Sequence, residues 1–284
     1  MHIFQAIIMG IVQGLSEFLP ISSSAHLVIS SNIYKVIKNL PLHQESSQEI
    51  FLDIMLHLGT LVAVLIYFRK DIKEIIIAFI NAIKTKDYSS ENAKLAIYIL
   101  IGTIITVIIA FPLHTIAEDL VFAPMIVGVL LIFTGLLLIS SELYSKKIEE
   151  KKESIDIKTS IIMAIAQGLA ALPGFSRSGL TIAAGLLNKQ NRYTAARYSF
   201  LLSIPIILGA SMVYPLIKID ISEFLQYNWS AIILGTIVSA ISGYLCIKYF
   251  LKFVSKYSLA FFGYYCIIIG IFTFVFFNIY ANGV

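Results

Sequence analysis

The chain has 284 residues, of which 58% are hydrophobic and 13% charged, with a net charge of +4. A soluble domain is about 45–50% apolar and about 25% charged, so this chain lacks the polar residues to cover itself in water. That excludes a soluble enzyme, a nucleic-acid-binding protein and a disordered regulator, and the mean hydropathy of +0.87 points to a membrane protein.

No Lys or Arg precedes the first apolar stretch, so a cleaved signal peptide is not expected. A spanning helix needs about 20 mostly apolar residues. Residues 3–33 are apolar but broken by Glu17, Pro20, Ser22, Ser23, Ser24 and His26. Residues 51–68 span if Asp53 and His57 are tolerated near one end. Ile75–Ile83, flanked by lysines, reads as an interfacial helix, and 95–113 and 121–139 are uncharged spans. Residues 157–187 are broken by Pro173, Gly174, Ser176, Arg177, Ser178 and Gly179. Three uncharged spans follow at 198–217, 229–247 and 257–281, the second opening on Trp229, a residue suited to the interface. Cys246 and Cys266 lie in apolar runs with no metal or disulfide spacing. Each half of the two broken segments holds only about 10–14 apolar residues, a re-entrant length. Interrupted backbone survives at membrane depth only where protein or water satisfies it. The expectation is an all-α integral membrane fold of six transmembrane helices plus two re-entrant helical hairpins, 3–33 and 157–187.

Basic residues test this plan, because they collect on the cytoplasmic side. With six spans and two returning hairpins, 17 of the 21 Lys and Arg fall on one side, against Lys35, Lys38 and Lys218 on the other. Arg177 sits within the second hairpin. This asymmetry places both termini outside. The hairpins also repeat one another: Gln13-Gly14-Leu15 and Ser22 recur as Gln167-Gly168-Leu169 and Ser176, both at an offset of 154 residues. The copies enter from opposite sides, the pattern of an inverted-topology repeat whose binding site lies where the halves meet. The single polytopic domain, 1–284, then divides into pseudo-repeats of about 1–143 and 144–284.

Ionisable groups inside a membrane are costly and point to function. Here they are Glu17, His26, Asp53, His57 and Arg177. Ser22, Ser23 and Ser24 precede one short helix, and Ser176 and Ser178 another, where serine is a capping residue. Two helix N-termini facing each other make an anion site, and the planar fork of Arg177 suits phosphate oxygens. Glu17 and His26 offer an acid–base pair, with a serine between them as a nucleophile. Glu17 and Arg177 also qualify as one buried ion pair joining the repeats. Gly174 and Gly179 qualify as turn and packing residues. Glu49, Asp53 and His57 share one helix face, which either extends the site or marks the end of a span.

The string Gln13-Gly14-Leu15-Ser16-Glu17-Phe18-Leu19-Pro20-Ile21-Ser22-Ser23-Ser24-Ala25-His26 resembles the first signature of the undecaprenyl-diphosphate phosphatases of the bacitracin-resistance type. Pro173-Gly174-Phe175-Ser176-Arg177-Ser178-Gly179-Leu180-Thr181 is similar to the second, and Ala195-Ala196-Arg197-Tyr198-Ser199-Phe200 with Pro205 also fits. The resemblance implies an integral plasma-membrane hydrolase built on interdigitated inverted repeats. Such an enzyme converts undecaprenyl diphosphate to the monophosphate for cell-wall synthesis, uses a divalent cation (Mg2+ or Ca2+) and opens its active site to the outer face. By the same resemblance Glu17 is the essential acid, serving metal or water, Ser23 and His26 are catalytic, and Arg177 grips the diphosphate. Ser176, Ser178 and Thr181 surround that arginine, and Gln13, Ser22, Ser24 and Gly174 complete the substrate-binding set. Gln13 stands where the family has Glu or Gln, and Gln is a poorer metal ligand than a carboxylate. Asp53 falls where relatives often carry an acid and is the second metal ligand expected. The partners implied are the polyprenyl diphosphate and membrane lipids, no nucleic acid, with homo-oligomer formation left open. The rival reading is a lipid-phosphate transporter or flippase on the same inverted repeat.

Overall fold

The computed structural model describes residues 3–37, 47–218 and 227–283; Lys38, one of the three cations of the sparsely charged side, lies outside them. The helices run in the order α1 (Ile3–Phe18), α2 (Ser23–Ile37), α3 (Ser47–Tyr67), α4 (Arg69–Thr85), α5 (Glu91–Leu120), α6 (Pro124–Ser145), α7 (Ile157–Leu169), α8 (Arg177–Leu187), α9 (Arg192–Lys218), α10 (Trp229–Val254) and α11 (Ala260–Gly283). Among the described residues the only β pairing is one isolated bridge between Lys152 and Gln190. Six helices, α3, α5, α6, α9, α10 and α11, are long and apolar enough to cross a membrane. The two broken segments each form a pair of short helices joined by a turn, α1 with α2 and α7 with α8.

Helix ends depart from the apolar runs. α5 covers residues 91–120 rather than 95–113, because it starts at its cap: Ser90 Oγ accepts from the Ala93 amide at 3.3 Å. The helix also continues through Pro112. α9 begins at Arg192 rather than near residue 198, since its polar first turns are held by ion pairs, Arg192 with Glu142 and Arg197 with Asp71. Hydropathy marks what lies in the apolar layer, whereas caps and ion pairs set where helices start. α4 is likewise longer than Ile75–Ile83 and is amphipathic: Ile75 and Ala82 are buried, while Ile76, Ile77, Ile80 and Ile83 are exposed.

Packing weaves the two halves together. α1 lies along α10, α7 along α5, α10 against α3 and α5 against α9, with α6 paired to α11. α1 and α10 approach so closely that a Cβ on Gly14 would sit 2.6 Å from Ser239 O. Glu142, 1% exposed, receives Arg192 Nε and Nη2 at 2.7 Å each, and the Leu259 amide at 3.1 Å. This one carboxylate therefore ties α6 and α9 to the residue just ahead of α11.

The turn before α8 rests on Gly174, whose φ of +104° favours glycine. A Cβ there would lie 2.6 Å from Val127 O and 2.7 Å from Leu130 Cβ on α6. Gly174→Ala is expected to cost about 1–3 kcal/mol in backbone strain and contact. It should lower the thermal midpoint in detergent; an unchanged midpoint would refute this account of the turn.

Candidate active site

The site grows from the α1–α2 turn. Gln13 and Glu17 stand one helical turn apart on α1, both buried, and Gln13 Nε2 donates to Glu17 Oε2 at 3.0 Å. The chain turns through Ser22, at φ +70°. Ser22 Oγ accepts from the Ala25 amide at 3.2 Å and so caps α2. Ser176 does the same for α8, accepting from the Gly179 amide at 3.1 Å. The two turns then bond each other: Ser22 Oγ donates to Phe175 O at 3.1 Å, and Ser178 Oγ donates to Leu19 O at 3.0 Å. The starts of α2 and α8 therefore meet.

Glu17 is the hub of what they enclose. Arg177 Nη2 donates to its Oε1 at 2.7 Å, and Ser23 Oγ donates to its Oε2 at 2.7 Å. His57 Nε2 approaches the same Oε2 at 3.7 Å from α3. The His57 Nδ1 donates to Asp53 O at 2.9 Å and lies 3.7 Å from Asp53 Oδ1. The ion pair envisaged between Glu17 and Arg177 is formed, and a serine hydroxyl shares its carboxylate.

The other expected residues separate into two groups. Ser23, Ser24, His26 and Arg177 are half-buried and reachable. Ser176, Ser178 and Thr181 are at most 1% exposed and turn inward. Thr181 Oγ1 donates to Arg177 O at 2.7 Å and shares a 2.6 Å hydrogen bond with Ser199 Oγ. Gly174 O accepts from Thr134 Oγ1 at 3.4 Å, inside the turn. These four shape the loop that presents Arg177. His26 does not meet Ser23: its Nδ1 donates to Ser22 O at 2.7 Å, and its Nε2 pairs with the Tyr265 hydroxyl at 2.8 Å.

Three residues near this centre had been assigned no catalytic, binding or metal role. His57 had a signal, its place on the Asp53 face of α3, but its approach to Glu17 depends on how α3 packs on α1. Ser199, whose carbonyl accepts Arg177 Nη1 at 3.4 Å, was named only within the third matching string, and Tyr265 had no signal. A pocket of about 290 Å3 lined by Lys94, Tyr98, Asp156, Arg197 and Tyr198, among others, lies apart from this centre.

Among the described residues no three His, Cys, Asp or Glu side chains converge closely enough to hold a metal ion by themselves. Two buried oxygens, Gln13 Oε1 and Asp53 Oδ1, nevertheless accept no hydrogen bond. Hard oxygen donors of this kind suit Mg2+ or Ca2+, and Mg2+ is commonly held by one or two carboxylates plus substrate phosphates. The donor set fits a cation shared with a phosphorylated ligand rather than one caged by protein.

Residues 6–272 match the family model described as bacitracin resistance protein BacA. The chain belongs to this family. Among its BacA-family relatives, a protein from Halothermothrix orenii named undecaprenyl-diphosphatase is 43% identical over 95% of this chain and 96% of its own length. One of the same name from Methanobrevibacter smithii is 42% identical over 97% and 98%. Another, from Korarchaeum cryptofilum, is 38% identical over 95% and 98%. The match to the family model takes in the α1–α2 and α7–α8 turns, which together build the centre around Glu17.

Proposed function

We propose that this protein hydrolyses undecaprenyl diphosphate to undecaprenyl phosphate and inorganic phosphate, recycling the carrier lipid for cell-wall synthesis and conferring bacitracin resistance. The relatives' name supports this reading. The observation that carries it is the convergence of Arg177 and Ser23, from two distant turns, on the single carboxylate of Glu17.

Those contacts support the following mechanism. The terminal phosphate takes the place of Glu17 on the guanidinium of Arg177, whose fork matches phosphate oxygens. Ser23 Oγ attacks the terminal phosphorus as Glu17 Oε2 takes its proton. The bond from phosphorus to the bridging oxygen breaks, and undecaprenyl phosphate leaves. Water then cleaves the serine phosphate, with His26 as its base, and Glu17 returns its proton to the leaving Ser23 Oγ. The first-turn amides of α2 and α8 and the charge of Arg177 stabilise the developing negative charge. Glu17 and Asp53 would hold a divalent cation together with the diphosphate, and it would supply further charge neutralisation there.

The same proposal includes the topology. α1–α2 and α7–α8 act as re-entrant hairpins of an inverted repeat, about 1–143 and 144–284, with both termini and the site opening outside in the plasma membrane. Three features support it: matching serine caps at Ser22 and Ser176, the reciprocal packing of α1 on α10 and α7 on α5, and the one-sided basic residues. The interleaved packing also keeps a lipid-phosphate transporter as the second reading.

The deciding experiment measures phosphate release from undecaprenyl diphosphate by purified protein in detergent, with Mg2+, with Ca2+ and with chelator. Ion-dependent release is expected, and Arg177→Lys should lower it by about 10²-fold, the loss typical of one charge-stabilising donor. Lipid binding without release under any ion would shift the reading to transport.

A further inference from the structure

His26 is held at both ring nitrogens, and neither contact is to Ser23. Its Nδ1 lies 2.7 Å from Ser22 O. A carbonyl oxygen only accepts, so Nδ1 carries a proton, and the lone pair of the neutral ring sits on Nε2. The Tyr265 hydroxyl lies 2.8 Å from that Nε2. The two rings lie edge to edge in nearly parallel planes, 6° apart, with centroids 5.6 Å apart. Tyr265 comes from α11, 239 residues along the chain from His26. The next residue, Cys266, reaches Pro20 O at 3.5 Å, so this stretch of α11 touches both the α1–α2 turn and the first turn of α2.

We propose that Tyr265 positions His26 and links it to the attacking water. Ser22 O sets the Nδ1–H tautomer, and the Tyr265 hydroxyl, donating to Nε2, fixes the imidazole plane and joins Nε2 to that water. In the resting site the hydroxyl donates to Nε2. As the water attacks, the hydroxyl passes its own proton to Nε2 and its oxygen takes the proton of the water. The pair gains one proton in all, and the imidazolium keeps a partner on both sides, Ser22 O and the Tyr265 oxygen. This role rests on the phosphatase reading given above.

Tyr265→Phe tests it, because the ring stays and only the hydroxyl goes. Two readouts separate the outcomes. In 15N-histidine-labelled protein without substrate, the ring-nitrogen resonances of His26, assigned by their loss in His26→Gln, should show Nδ1–H in the wild type. In Tyr265→Phe the Nε2 resonance should move as it loses its donor, while Nδ1 stays protonated against Ser22 O. In turnover, kcat should fall about tenfold with KM unchanged, a part of the roughly 10²–10⁴-fold that a positioned acid–base group contributes. Identical spectra in the two proteins, or a shifted spectrum with unchanged kcat, would each overturn the proposal. A wild type without phosphatase activity would fail the functional reading and this role with it, while the spectra would still show whether the hydroxyl holds Nε2.

Discussion

Glu17→Gln should reduce phosphate release by about 10³-fold, within the range lost when a positioned proton acceptor is removed. Glutamine keeps the shape of the side chain and one oxygen to accept from Ser23 or Arg177, so the loss falls on proton transfer rather than on packing. A purely structural ion pair makes a different forecast. Removing one partner of a buried pair leaves the other charge uncompensated, at about 3–5 kcal/mol, and removing both relieves it. The double variant Glu17→Gln with Arg177→Gln distinguishes the two roles. If the pair only holds the α1–α2 and α7–α8 turns together, stability and activity return together in the double variant. If Glu17 takes the serine proton and Arg177 holds phosphate, stability returns and activity does not. Full turnover in Glu17→Gln would remove Glu17 from the chemistry.

Glu142→Ala is expected to be the most destabilising of these changes, by about 3–5 kcal/mol. The carboxylate is 1% exposed and accepts both Arg192 bonds and the Leu259 amide. Its loss strands a guanidinium and a backbone N–H and detaches α9 from α6. The check is the thermal midpoint in detergent beside Arg192→Ala and the double variant. Single losses that are large, and that the double variant does not exceed, mark one coupled unit. Additive small losses would reduce Glu142 to an ordinary polar contact.

The broken segments were legible because interruptions are local: Pro20 with three serines, and Pro173-Gly174, stand out in apolar runs whatever surrounds them. The spans were legible for a similar reason, but their ends were not. The first turns of α5 and α9 are polar, and the partners Glu142 and Asp71 that hold α9 come from other helices. Within the site, Glu17, Ser23 and Arg177 could be named from their pattern, since each carries chemistry in its own side chain. Which way a side chain faces was not legible. Thr181 and Ser178 share the motif with Arg177, yet they turn inward and bond Ser199 and Leu19. Tyr265 lies among many aromatic residues of α11, and only the packing of that helix on α2 singles it out.

The interleaving of the helices has a consequence for biosynthesis. Glu17 is made 160 residues before the arginine that neutralises it, and α1 before α10, the helix it lies along. The nascent first hairpin therefore carries a carboxylate with no counter-charge and an apolar face with no neighbour until most of the chain has left the ribosome. Late non-local contacts of this kind slow assembly and expose intermediates. Its early half depends on the insertion machinery, or on α3, for cover. Chains truncated before α10 should be cleared by membrane proteases rather than accumulate as half-enzymes.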